Sequence, residues 1–159
     1  MNEEKIDLNK ACLKARFLIS EGDHEGGLRI LNHVIEHDPE YVMAYVTRGT
    51  LYSVQQKYNF ALNDLKKALT LGYQHAVVYS SIATILYRLK KYELALKYFA
   101  KAVQLDPNNS LSYINRANLY QDIKEYPLAI KDFEICLTLG LDENTKKQIA
   151  DRLKVLKSL

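Results

Sequence analysis

Residues 76–109 read AVVYSSIATILYRLKKYELALKYFAKAVQLDPNN, and this stretch decides the fold. Tyr79, Ala83 and Leu86 recur at spacings of four and three, which marks one face of a helix. Ala95, Phe99 and Ala102 do the same for a second helix, and Leu89-Lys90-Lys91 forms a short polar turn between them. The small residues Ala83 and Ala95 belong where the two helices cross closely, since bulk there would push the backbones apart.

Shifting the chain by 34 residues carries this pattern outward in both directions without a gap. One column reads Tyr45, Tyr79, Tyr113, and another Ala15, Gly49, Ala83, Ala117. Others read Leu18, Tyr52, Leu86, Tyr120 and then His24, Tyr58, Tyr92, Tyr126. On the second helix the columns are Gly27, Ala61, Ala95, Ala129; Leu31, Leu65, Phe99, Phe133; and Val34, Ala68, Ala102, Cys136. No such unit buries both its faces alone, so each depends on a neighbour.

The aromatic, small, aromatic order of the first helix and the Ala, aromatic, Ala order of the second resemble the tetratricopeptide repeat (TPR) family, with closing prolines at Pro39 and Pro107. The resemblance implies an all-α, right-handed superhelical solenoid of antiparallel helix hairpins. Its repeats would cover about residues 8–41, 42–75, 76–109 and 110–143 of one array. The second and fourth units depart from the pattern by ending in Leu71-Gly72 and Leu139-Gly140, where glycine can stop a helix. The first unit departs further. It lacks an aromatic at Leu18 and places Gly26 and Gly27 in its second helix, each at a cost of roughly 1 kcal/mol against alanine, which predicts the loosest unit. Residues 144–157 read as a capping helix, with Ile149, Leu153 and Leu156 on one stripe and Asp142 or Asn144 as its N-cap.

The resemblance also implies a concave groove lined by the first helices, which holds a peptide of a partner protein. The residues in those columns are Arg16, Met43, Val46, Thr47, Thr50, Ser81, Thr84, Tyr87, Arg88, Ile114, Asn115, Asn118, Gln121 and Asp122, with Cys12, Ile19, Ser53, Val77, Ser80 and Leu111 beside them. Thr47, Ser81, Asn115 and Thr50, Thr84, Asn118 form two polar ladders able to donate to and accept from a bound backbone. The lysine and asparagine clamp with which some family members grip a C-terminal carboxylate is not matched in either register, so the expected ligand is a neutral or apolar segment. Arg88 and Asp122 stand at equivalent positions and are expected to pair.

Other chemistry is weakly signalled. Arg29, Lys97 and Lys131, with His33, Lys67 and Lys101, make a modestly basic outer stripe, read as a solvated face with Glu93 and Asp132 interspersed. A net charge of +3, without interleaved aromatic residues, argues against nucleic acid. His33-Val34-Ile35-Glu36-His37 matches the HxxEH zinc signature, yet a third ligand is wanting and Val34 falls in a core column, so no metal, cofactor or catalytic residue is expected and a zinc hydrolase using His33 and His37 stays a remote alternative. Cys12 and Cys136 lie in no paired or metal-binding motif, no apolar run reaches membrane-spanning length, and no secretory signal opens the chain. The expected address is the cytoplasm. The expected role is a scaffold or co-chaperone-like adaptor, with self-association through Leu13 and Phe17, or membership of a larger assembly, as the rival.

Overall fold

A computed structural model describes residues 7–158 of the chain. Nine helices are found among them and no strand: α1 Leu8–Ser20, α2 His24–His37, α3 Val42–Val54, α4 Tyr58–Thr70, α5 Ala76–Arg88, α6 Tyr92–Leu105, α7 Ser110–Asp122, α8 Tyr126–Thr138 and α9 Glu143–Leu156. None is long and apolar enough to cross a membrane. The chain divides after Gln74 into two compact units. In the first, α1 packs on α2 and α3 on α4; in the second, α5 packs on α6, α7 on α8, and α9 closes against α8.

Local chemistry sets the ends of these helices. The carboxylates of Asp7, Asp23 and Asp142 and the amide oxygen of Asn109 each accept from a backbone N–H three residues on, which satisfies a donor that the first helical turn leaves free. Asp142, not Asn144, is thus the cap of α9. Each hairpin turn holds one residue in the left-handed region: Gly22, Gln56, Lys90 and Lys124, with φ of 90°, 58°, 58° and 63°. Only the first is a glycine. Gly72 ends α4 in the same conformation, but Gly140 does not, since α8 stops where Leu139 turns extended. The two Leu-Gly endings, alike in sequence, therefore work differently.

The interior of the first unit gathers Cys12, Ala15, Leu31, Val34 and Ala44. Gly27 serves close approach here, because a Cβ on it would lie 2.5 Å from Cγ1 of Ile19 and 3.1 Å from the Ala15 carbonyl oxygen. In the second unit Ala117, Ala129, Phe133 and Cys136 meet Ile149, Leu153 and Leu156 of α9, so the terminal helix seals the last hairpin. Pro39 fixes Tyr45, whose hydroxyl donates to its carbonyl oxygen over 3.0 Å.

Two buried ion pairs correct the reading of the outer face. Asp132, expected among solvated charges, is only 3% exposed and takes two bonds, of 2.7 and 2.8 Å, from Arg116. Arg48 and Asp64 repeat this arrangement in the first unit, and Arg48 also donates to Asn32 on α2 over 2.6 Å. Burial disfavours the Arg116 cation, but its bonds to Asp132 more than offset that and raise its pKa. The hairpin of α5 and α6 places Ile82 and Tyr98 in the same two columns and carries no such pair.

Candidate functional site

In the first unit, α1 and α3 leave a cleft of about 470 Å³ between them. Met43, Val46, Thr47, Thr50 and Val54 fall on one face of α3 through their three- and four-residue spacing, and Arg16, Ile19 and Ser20 do so on α1. Leu51 and His24 complete the lining. Five sequence-read groove residues, Arg16, Met43, Val46, Thr47 and Thr50, thus converge on one concavity. Its size lies within the roughly 300–1,000 Å³ usual for ligand sites.

Other candidates behave differently. Cys12 and Ser80 are buried and face no groove. Burial pushes the Cys12 thiol up, with the nearby Arg16 charge opposing, which keeps it protonated and inert at neutral pH. The hydroxyls of Thr50 and Thr84 donate to their own helices, to the carbonyl oxygens of Val46 and Ser80 over 2.8 and 2.9 Å. The second ladder therefore has fewer free donors than its sequence suggests. Asn118 is also engaged, accepting from the Arg152 guanidinium. Thr47, Ser81 and Asn115 make no side-chain hydrogen bond among the described residues, so the first ladder keeps its capacity.

In the second unit, the expected Arg88–Asp122 ion pair does not form. The Asp122 carboxylate instead accepts from the Tyr87 hydroxyl, and burial together with that bond pushes the Tyr87 phenol up to about 12. Ile114 leans partly into the core. Gln121 lines a second, shallower concavity of about 530 Å³ with Gln148, Asp151, Arg152, Val155 and Leu156 of α9, and its Oε1 is buried without a partner among the described residues. The α9 residues were not read as groove residues. A signal existed: Leu153 follows Leu119, and Arg152 follows Asn118, by the same 34 residues that relate the repeats.

His33 and His37 are both exposed, and among the described residues no three metal-ligating side chains cluster. Arg29, Lys97 and Lys131 are exposed as expected of the outer stripe.

Sequence models of the tetratricopeptide repeat match residues 76–109 and 98–131. Residues 76–131 are tetratricopeptide repeat sequence. The all-α, TPR-like fold is found again in solved structures of low identity. YrrB, described as a TPR protein with an unusual peptide-binding site, is 22% identical with a TM-score of 0.80, over 98% of this chain and 79% of that one. A crystal structure of MamA is 19% identical with a TM-score of 0.81, over 91% and 82%. MamA from Desulfovibrio magneticus RS-1 gives 20% and 0.77, over 86% and 77%. No curated protein matches this chain in sequence.

Proposed function

We propose that this protein is a non-enzymatic interaction scaffold that holds a short peptide segment of a partner in the cleft between α1 and α3. The observation that carries the reading is the convergence of Arg16, Met43, Val46, Thr47 and Thr50, drawn from two helices, on one cleft with largely aliphatic walls. Apolar peptide side chains gain roughly 25 cal/mol for each Å² withdrawn from water, and Thr47, with its uncommitted hydroxyl, is placed to hold a backbone. The peptide-binding site named for YrrB, a protein of similar fold, agrees with this role. The concavity of α7 and α9 is a secondary contact surface in the same reading.

Filling the cleft tests it. Thr47→Trp places an indole among Met43, Val46 and Leu51 and leaves the buried core untouched. Crosslinks from partner proteins captured in native lysate are expected at Arg16, Met43 and Val54 in the wild type and absent in T47W, with the melting temperature unchanged. Equal crosslinking in both would remove the cleft as the site.

A second reading, self-association, rests on a different observation. Phe17 occupies the column of Leu51, Leu119 and Leu153, which are 3%, 0% and 6% exposed, yet it is itself 62% exposed. Leu13, one turn away, is 56% exposed. This flank of α1 has the chemistry of an internal packing face, and a second copy or another subunit of a larger assembly would cover it.

A further inference from the structure

The cleft between α1 and α3 carries charge of one sign only. Among its lining residues Arg16 is the permanent cation, His24 is the other ionisable group, and no carboxylate is present. Arg16 forms no ion pair and no side-chain hydrogen bond among the described residues, whereas Arg48 and Arg116 are fully engaged. Next to the lining residues in sequence stand the acidic Glu21 and Asp23, in the turn that joins α1 to α2, and Glu25 in the first turn of α2. Asp23 is committed to the Gly26 N–H, and none of the three lines the cavity. Ile19, Met43, Val46, Leu51 and Val54 make up the apolar part of the walls, with the hydroxyl residues Ser20, Thr47 and Thr50 beside them, and Met43 and Val54 stay exposed. An unpaired guanidinium beside such walls disfavours a cationic or basic ligand and favours a carboxylate held by charge-assisted hydrogen bonds.

From this we infer that the cleft selects a partner segment in which a large apolar side chain stands within one helical turn of an aspartate or glutamate side chain. The apolar group enters between α1 and α3, and the carboxylate meets Arg16 at the mouth. The inference rests on the peptide-binding reading above and narrows its expected neutral ligand to an acidic-flanked apolar one.

The test uses the full chain and a random sixteen-residue peptide library displayed with its C-termini fused, so that every carboxylate selected is a side chain. The wild type, Arg16→Gln and Thr47→Trp are panned in parallel, and the same library is panned with free C-termini. Enriched fused peptides are expected to carry Asp or Glu at a fixed, short spacing from Leu, Ile, Phe or Met. Their affinity for R16Q should fall about tenfold, the effect of losing one charge-assisted hydrogen bond. T47W should enrich none of them.

Apolar peptides with no acidic preference, or equal binding by R16Q, would overturn the inference and leave the peptide cleft standing. Enrichment confined to free C-termini would overturn it in favour of a terminal carboxylate. Peptides that bind wild type and T47W alike would overturn both, as would no enrichment at all. Arg16 is exposed and unpaired, so R16Q should melt with the wild type, and that melt serves as the folding control.

Discussion

At the scale of single residues, the interior of each unit turns on one arginine. Arg116 and Asp132 are held by two short bonds inside a largely apolar hairpin. Removing one partner leaves the other desolvated without compensation, a loss that exceeds what the pair itself contributes. Asp132→Ala is therefore expected to cost about 2–4 kcal/mol in chemical denaturation. The double change Arg116→Ile with Asp132→Tyr, which copies Ile82 and Tyr98 of the preceding hairpin, is expected to recover most of that; a double variant no better than the single one would contradict the account. Both columns were open to inspection in the sequence, because Arg48 and Arg116 stand 16 residues before Asp64 and Asp132. What hid them is that aspartate on a helix is ordinarily solvated, so Asp132 reads as surface until its partner is seen across the hairpin. The groove columns suffered a related ambiguity. Periodicity places Thr50, Thr84 and Asn118 on the right face, but it does not show that their polar atoms are already taken by Val46, Ser80 and Arg152.

At the scale of the element, helices and their pairing were legible, since apolar spacing and small crossing residues both repeat along the chain. Turn conformation was not. Nothing in Leu89-Lys90-Lys91 announces that Lys90 must adopt a positive φ, and only the glycine at the equivalent Gly22 hints at it. A side chain in that region costs about 1 kcal/mol, so Lys90→Gly is expected to raise stability by about 0.5–1 kcal/mol, read as a Tm increase of about 2–4 °C. An unchanged or lowered Tm would refute the strain argument. Gly27 runs the other way. Read from sequence, it is a weak helix former; in the structure it is a point of close approach between α1 and α2. Gly27→Ala gains helix propensity of about 1 kcal/mol, yet it drives a methyl group into Ile19 and the Ala15 carbonyl, an overpacking cost of about 1–3 kcal/mol. A net loss on the order of 1 kcal/mol is expected. Because Ile19 lines the cleft, the same variant should weaken peptide capture, and a stabilised G27A with full capture would show that α1 can yield.

At the scale of the whole molecule, the first and last described helices differ in what they leave bare. α9 covers the last hairpin and turns Lys147, Asp151 and Lys154 to solvent, whereas α1 presents Leu13 and Phe17. If that flank joins copies, sedimentation should show a concentration-dependent dimer that Leu13→Lys with Phe17→Glu returns to monomer, with helicity retained. A wild type that stays monomeric at high concentration would end the self-association reading. The identity of a partner lies beyond what either repeats or clefts encode, because the same scaffold serves many ligands and only the side chains of one cleft discriminate among them.

The alternation of buried charge along the chain has a consequence for assembly. Near-identical hairpins risk exchanging helices while they fold, since an α3 that lay against α6 would find the same small and aliphatic surface. It would also set Arg48 against Tyr98 and strand Asp64 in water-poor surroundings with nothing to receive. The charged couples thus act as address labels that tell like helices apart, and misrouted pairings are penalised before the array is complete.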